Sequence, residues 1–269
     1  MADNPASLGA HTARSDLRAG ATGQIFVDLT LMEEEARRVV GEMPYAYFAG
    51  GSGAERLLDD NVAAWLRWRL HPRVLVDVSA VSTTTTMLGH PVASPVLVAP
   101  TAIQGLAHPD GEVATAHGAA GAGAAMVLSS LATRSLEDVD AVAPGGLRWM
   151  QVYVLRDRGR TAELVMRAAH SNYRALVLTV DAPVSGLRLR ELHAGVHLPD
   201  DLELPNLAGP STQRARQGGF MAVVAGEFDP ALTVDDIGCW PGSPICPSWS
   251  KGSSGPMTRR AALRPAPPR

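Results

Sequence analysis

Residues 95–102, PVLVAPTA, form a short apolar, β-branched run set between prolines and closing in small polar groups. Periodicity alone does not separate a buried strand from a short helix here. The length, the valines and the bounding prolines favour a strand covered on both faces. Three similar runs follow at 125–130 (AMVLSS), 147–155 (LRWMQVYVL) and 175–183 (ALVLTVDAP). Helical patterns lie between them at 111–124, 135–143 and 158–171. Strand alternating with helix predicts parallel strands joined by right-handed crossovers. Each run also ends in polar side chains: Thr101, then Ser129 and Ser130, then Gln151 and Tyr153, then Thr179 and Asp181. In a (β/α) barrel those ends share the face where chemistry is done. The predicted class is α/β: half of a (β/α)8 barrel, about four units, preceded by helices and a hairpin.

Composition narrows the function. The 269 residues are 46% hydrophobic and 19% charged, with a formal net charge of -3. Such a chain can bury a large core and carries neither a nucleic-acid footprint nor a polybasic membrane patch. No apolar run approaches the roughly 20 residues that span a bilayer, and residues 1–20 lack the apolar centre of a signal peptide. A soluble cytoplasmic protein is expected. Cys239 and Cys246 do not make a disulfide framework.

Upstream of the first strand, residues 1–22 are predicted to be disordered. Residues 23–94 should hold the helices and a hairpin across the barrel bottom. Thr30 and Glu33 have capping-box spacing for a helix reaching Val40. Pro44 opens a second helix that Gly50 and Gly51 end. A third, over 53–66, places Leu57, Leu58, Val62 and Trp65 on one stripe. Residues 83–87 and 91–93 flank Leu88-Gly89-His90 as a hairpin would. Gly121 and Gly123 precede a strand, so they are no dinucleotide fingerprint. Residues 184–238 are expected to be a lid loop and the start of the next helix. His193 and His197 sit four apart there without a carboxylate motif, and are read as solvated rather than metal ligands.

Several motifs then fall together: Tyr45-Ala-Tyr47-Phe-Ala-Gly, HPRVL with DVS, SPVLVAPTA with AHPDGE, LSSLAT, QVYV, LTVDAP and Gly186-Leu-Arg188. In this order and spacing, over 25–237, they resemble the FMN-dependent L-2-hydroxy acid oxidases and dehydrogenases, which include glycolate oxidase, lactate oxidase and mandelate dehydrogenase. The resemblance implies that the backbone of Pro100, Thr101 and Ala102 lies against a flavin ring. It implies that Ser129, Gln151 and Thr179 bond the ring's polar edge. Tyr47, Tyr153 and Arg188 would bind the substrate, a small 2-hydroxy acid whose electrons pass through FMN to oxygen or a quinone. Leu131 stands where glycolate oxidase has tryptophan, which implies a reshaped pocket. A homotetramer is typical of the family.

The resemblance also implies a lysine on strand five, a histidine base in a Ser-Asn-His-Gly-Gly turn, an arginine for the carboxylate and a Gly-Arg phosphate site. None of these motifs occurs in the 269 residues. No catalytic base is therefore assigned, and the chain alone is expected to be inactive. A non-catalytic half-barrel is the alternative. Residues 239–269 turn rich in Pro, Ser, Gly and Arg and lose all acidic residues. They are read as a disordered tail translated out of frame. If Gly238 to Gly242 is encoded GGC TGC TGG CCG GGC, one restored G gives Gly-Trp-Leu-Ala-Gly, as the family pattern requires. The same shift over 246–259 yields a Val-Val-Lys-Gly strand.

Overall fold

The computed structural model describes residues 29–182, 184–207 and 209–233. The expectations for 1–22 and 239–269, the shifted tail included, lie outside the described residues.

A parallel sheet organises the chain. Strands β3 (Met126–Leu128), β4 (Arg148–Val152) and β5 (Leu176–Leu178) pair in sequence order. Met150 stands opposite both Leu128 and Leu176, and β4 and β5 end level at Val152 and Leu178. The 95–102 run pairs only through a parallel bridge between Val98 and Met126. Val98 N–H donates to Ala125 O and Val98 O accepts from Val127 N–H, both at 2.9 Å. The expected first strand is thus one bridge long, because prolines at 95 and 100 remove donors on either side. It nevertheless lies on the free side of β3, making four adjacent parallel segments. This is part of a (β/α) barrel.

The crossover helices are α4 (Glu112–Gly121), α5 (Leu136–Val142) and α6 (Arg158–His170). Ser135 caps α5 by accepting from Asp138 N–H, and Asp157 caps α6 by accepting from Gly159 and Arg160 N–H. Their inner faces pack on the sheet. Leu128, Leu136, Val139, Met150 and Ala168 are fully buried, and Leu164 nearly so. Each large aliphatic there contributes about 1.5–3 kcal/mol by leaving water.

Ahead of the sheet come α1 (Leu29–Val40), α2 (Glu42–Ala49) and α3 (Arg56–Trp65). Leu29 and Thr30 are both already helical, so Thr30 is not the N-cap that its spacing to Glu33 predicted. The α3 stripe also departs from expectation. Leu57, Val62 and Trp65 are 69%, 71% and 77% exposed, so the periodic face points outward rather than into this core.

The hairpin is present as β1 (Thr85–Met87) and β2 (His90–Val92), paired antiparallel. Its two-residue turn holds Leu88 at φ 50° and Gly89 at φ 83°, the mirror-image turn that suits strand twist. Ala93 N–H donates to Gly123 O, just before β3 begins. Leucine is strained at a left-handed position. Leu88→Asn is therefore expected to raise stability by about 0.5–1 kcal/mol in a thermal melt.

The segment expected to be a lid loop contains α7 (Leu189–Ala194) and α8 (Ser211–Glu227). Leu198, Leu204 and Leu207 are buried in the main core. Asn206 accepts from Leu136 N–H at 2.9 Å and donates to Arg134 O at 2.9 Å. Side-chain bonding and scattered leucines, rather than periodicity, hold this stretch. His193 is the fifth residue of α7, and Gly195 ends the helix at φ 64°. Among the described residues no cluster suits a metal, and no helix is long and apolar enough to cross a membrane.

Candidate active site

The polar strand ends meet as hydrogen-bonded neighbours. Gln151, on β4 and 1% exposed, lies at their centre. Its Oε1 accepts from Ser130 N–H at 3.0 Å, Ser130 Oγ at 3.2 Å and Ser129 Oγ at 3.5 Å. Its Nε2 donates to Thr179 Oγ1 at 2.9 Å. One amide therefore ties the ends of β3, β4 and β5 into a row of neutral donors and acceptors. Ser129 Oγ also accepts from Leu131 N–H at 3.1 Å, which turns the chain at the strand end.

Beside that row runs 100–102. Pro100 and Thr101 are exposed and Ala102 is half-buried. Thr101 O accepts from Gln104 Nε2 at 3.2 Å, and Ile103 N–H donates to Leu131 O at 3.0 Å. The segment is therefore fixed while its outer face stays open.

Tyr47, on α2, packs edge-on to Phe48. Burial, chiefly, and the nearby Glu191 carboxylate push its phenol well above the usual range, and Tyr153 adds to the rise. Tyr153, one residue past β4, stacks on Phe228 with ring centroids 4.1 Å apart. Its phenol is also raised, first by burial and then by Asp181. Both hydroxyls hold their protons through the neutral range and can donate hydrogen bonds.

Arg188 precedes α7 and is anchored more firmly than a free substrate ligand would be. Its Nη2 donates to Tyr47 O at 3.0 Å and Gly50 O at 2.8 Å, and its Nε side forms an ion pair with Glu191. Its guanidinium lies 5.9 Å from the Tyr47 ring centroid. An adjacent pair, Arg190 with Glu55, further pins α7 to the start of α3.

Burial raises the Glu191 carboxyl above its usual 4.5, and Arg188 opposes the rise. A carboxyl that holds its proton more tightly when folded adds stability below the unfolded pKa, and loses it as pH rises through the folded value. Wild type is accordingly expected to gain melting temperature over Glu191→Gln as pH falls from 7 toward about 4.5. Parallel melting curves would mean that Glu191 titrates normally.

Leu131 is 1% exposed and belongs to the core. This leucine thus places no exposed side chain at the rim.

Within AHPDGE lies a further buried carboxylate. Glu112, the first residue of α4, is fully buried and accepts four hydrogen bonds from the loops after 95–102 and after β3. Gly111 just before it has φ 51°, and a side chain there would meet Gly105 N and Thr133 Oγ1 at 3.2 Å. The combination of Gly and Glu opening a helix was the available signal.

Known proteins agree with this architecture. A family model described as FMN-dependent dehydrogenase matches residues 36–243. The chain belongs to that family. It is 44% identical over 218 residues to L-lactate oxidase of Nostoc sp., covering 78% of this chain and 60% of the relative. It is 42% identical to glycolate oxidase 1 of Zea mays, covering 75% and 55% respectively. Among solved structures, mandelate oxidase with (S)-4-hydroxymandelic acid superposes at TM-score 0.73 with 39% identity, covering 79% of this chain and 60% of that one. The chain thus spans 55–60% of the length of the curated relatives named here. The family's cofactor is FMN, and the neutral row beside an open backbone edge suits a flavin ring, which offers alternating donors and acceptors on one edge.

Proposed function

We propose that this polypeptide carries the flavin-ring and tyrosine side of an active site that oxidises a small L-2-hydroxy acid to the 2-oxo acid. The observation that carries this reading is the Ser129–Gln151–Thr179 row across three strand ends. Ser129, Gln151 and Thr179 would orient the polar edge of FMN, and the Pro100, Thr101 and Ala102 backbone would lie along the ring. FMN, when bound, supplies the acceptor for the two electrons that leave the substrate. Tyr47 and Tyr153 would donate hydrogen bonds to the substrate carboxylate and hydroxyl oxygen, their protons retained by burial. Arg188 would add positive potential next to Tyr47 while holding α2 in place. Oxygen or a quinone would take the electrons onward. A cytoplasmic location is proposed with this activity.

The motif that would supply a histidine base does not occur in these residues. Proton abstraction needs a base within hydrogen-bond reach of the substrate, so the 269-residue chain alone should bind FMN without turnover. The test is to load purified chain with FMN and add L-lactate, glycolate or L-mandelate without oxygen. Retained yellow colour is the expected result. Bleaching would contradict the inactivity, and a protein that never takes up colour would favour the non-catalytic half-barrel.

A further inference from the structure

We infer that Glu112 is a positioning residue, a carboxylate staple that sets the gap between the two loops lining one side of the flavin site. The inference rests on the flavin reading above. Glu112 Oε1 accepts from Gln104 N–H at 2.9 Å and Thr133 N–H at 3.1 Å. Oε2 accepts from Thr133 Oγ1 at 2.8 Å and Arg134 N–H at 3.2 Å. Gln104 belongs to the turn that follows 100–102, and Thr133 and Arg134 follow Ser129 and Ser130. One fully buried side chain thus spans both loops at their roots.

The consequences reach the rim. Thr133 Oγ1 also accepts from Gly105 N–H at 3.0 Å, so the hydroxyl relays the carboxylate to a second point on the first loop. The Gln104 side chain, whose backbone is held by Glu112, accepts from Thr115 Oγ1 at 2.5 Å and donates to Thr101 O. The path from Glu112 to the exposed Thr101 is therefore continuous. All four groups bonded to Glu112 are neutral donors. An ionised carboxylate accepts from all four, whereas a glutamine offers its own N–H₂ toward Arg134 N–H and must turn the Thr133 hydroxyl around. The position demands the carboxylate for its acceptors.

The test compares Glu112→Gln with wild type in the full 269-residue chain, with Leu164→Ala as a control destabilised in the core beneath α6. Amide exchange at Gln104, Gly105, Thr133 and Arg134 is expected to accelerate at least about ten-fold relative to β4 amides in Glu112→Gln. FMN should bind about ten-fold more weakly, while Leu164→Ala loses melting temperature but keeps the wild-type affinity. Thr133→Val, which removes only the relay, should shift both readouts in the same direction by less, and it decides the matter if Glu112→Gln does not fold. Unchanged loop exchange, an equal rise throughout β4, or equal loss of FMN affinity in Leu164→Ala would overturn the inference. A wild-type chain that ignores FMN would overturn the flavin reading and the cofactor arm of this inference together. In that case the exchange ratio still decides whether Glu112 staples the loops.

Discussion

Gln151→Leu is expected to lower stability by about 2–5 kcal/mol and to weaken FMN binding by about a hundred-fold or more. The side chain is buried, and leucine matches its bulk without its polar atoms. Ser130 N–H and the Ser130 hydroxyl lose their shared acceptor, and Thr179 Oγ1 loses its donor. An orphaned buried donor carries its full desolvation cost, about 1–3 kcal/mol. The affinity should fall further than stability implies, because the same amide aligns three strand ends. Gln151→Glu separates the two effects. It keeps the acceptor for Ser130 but replaces the donor to Thr179 and buries a charge. Denaturant melts and quenching of FMN fluorescence give the two quantities. A Gln151→Leu chain that binds FMN like wild type would remove the row from the site.

The second large effect is expected at Glu227, at the end of α8. Its side chain is only 4% exposed and bridges two arginines, Arg160 and Arg214. Arg214 Nε donates to Glu227 Oε1 at 2.7 Å, and Arg160 also donates to Ser211 Oγ at 2.9 Å. Glu227→Ala leaves Arg160 largely buried without its counter-charge, a loss of about 3–5 kcal/mol. Because Arg160 lies in the first turn of α6 and Glu227 ends α8, the pair fastens the expected lid region to the barrel. Its neighbour Phe228 stacks on Tyr153 and bridges to Leu155, so the tyrosine should loosen as well. A denaturant melt reads the stability. A rise in quenching of aromatic fluorescence by added iodide would report the loosening, and a wild-type melt in Glu227→Ala would show that the arginines find other partners.

The sequence makes the barrel units legible because the strands are compact apolar runs and two of the three crossover helices open after a capping side chain. Ser135 and Asp157 cap as their positions require. The polar endings carried the row, since β4 and β5 end level at Val152 and Leu178 and Gln151 reaches Thr179 just beyond. Other features depend on contacts that no local pattern encodes. The α3 stripe has helical spacing, yet the described core presents nothing to cover it. The segment after β5 hides its order in single leucines and Asn206, which bond residues about 70 positions away in the chain. The resemblance implied a substrate role for Arg188, and the fold adds two carbonyls and Glu191 as its partners. Glu112 was visible as a letter in a motif. Its four donors come from two separate loops, so its task could not be read from spacing.

The most direct measurement is an amide-exchange footprint of FMN on the purified chain. The account predicts added protection at 101–102, 129–130, 151 and 179, with little change in α3 or at the β1–β2 hairpin. Protection confined to other segments, or none at saturating FMN, would contradict the claim that these strand ends form the flavin site.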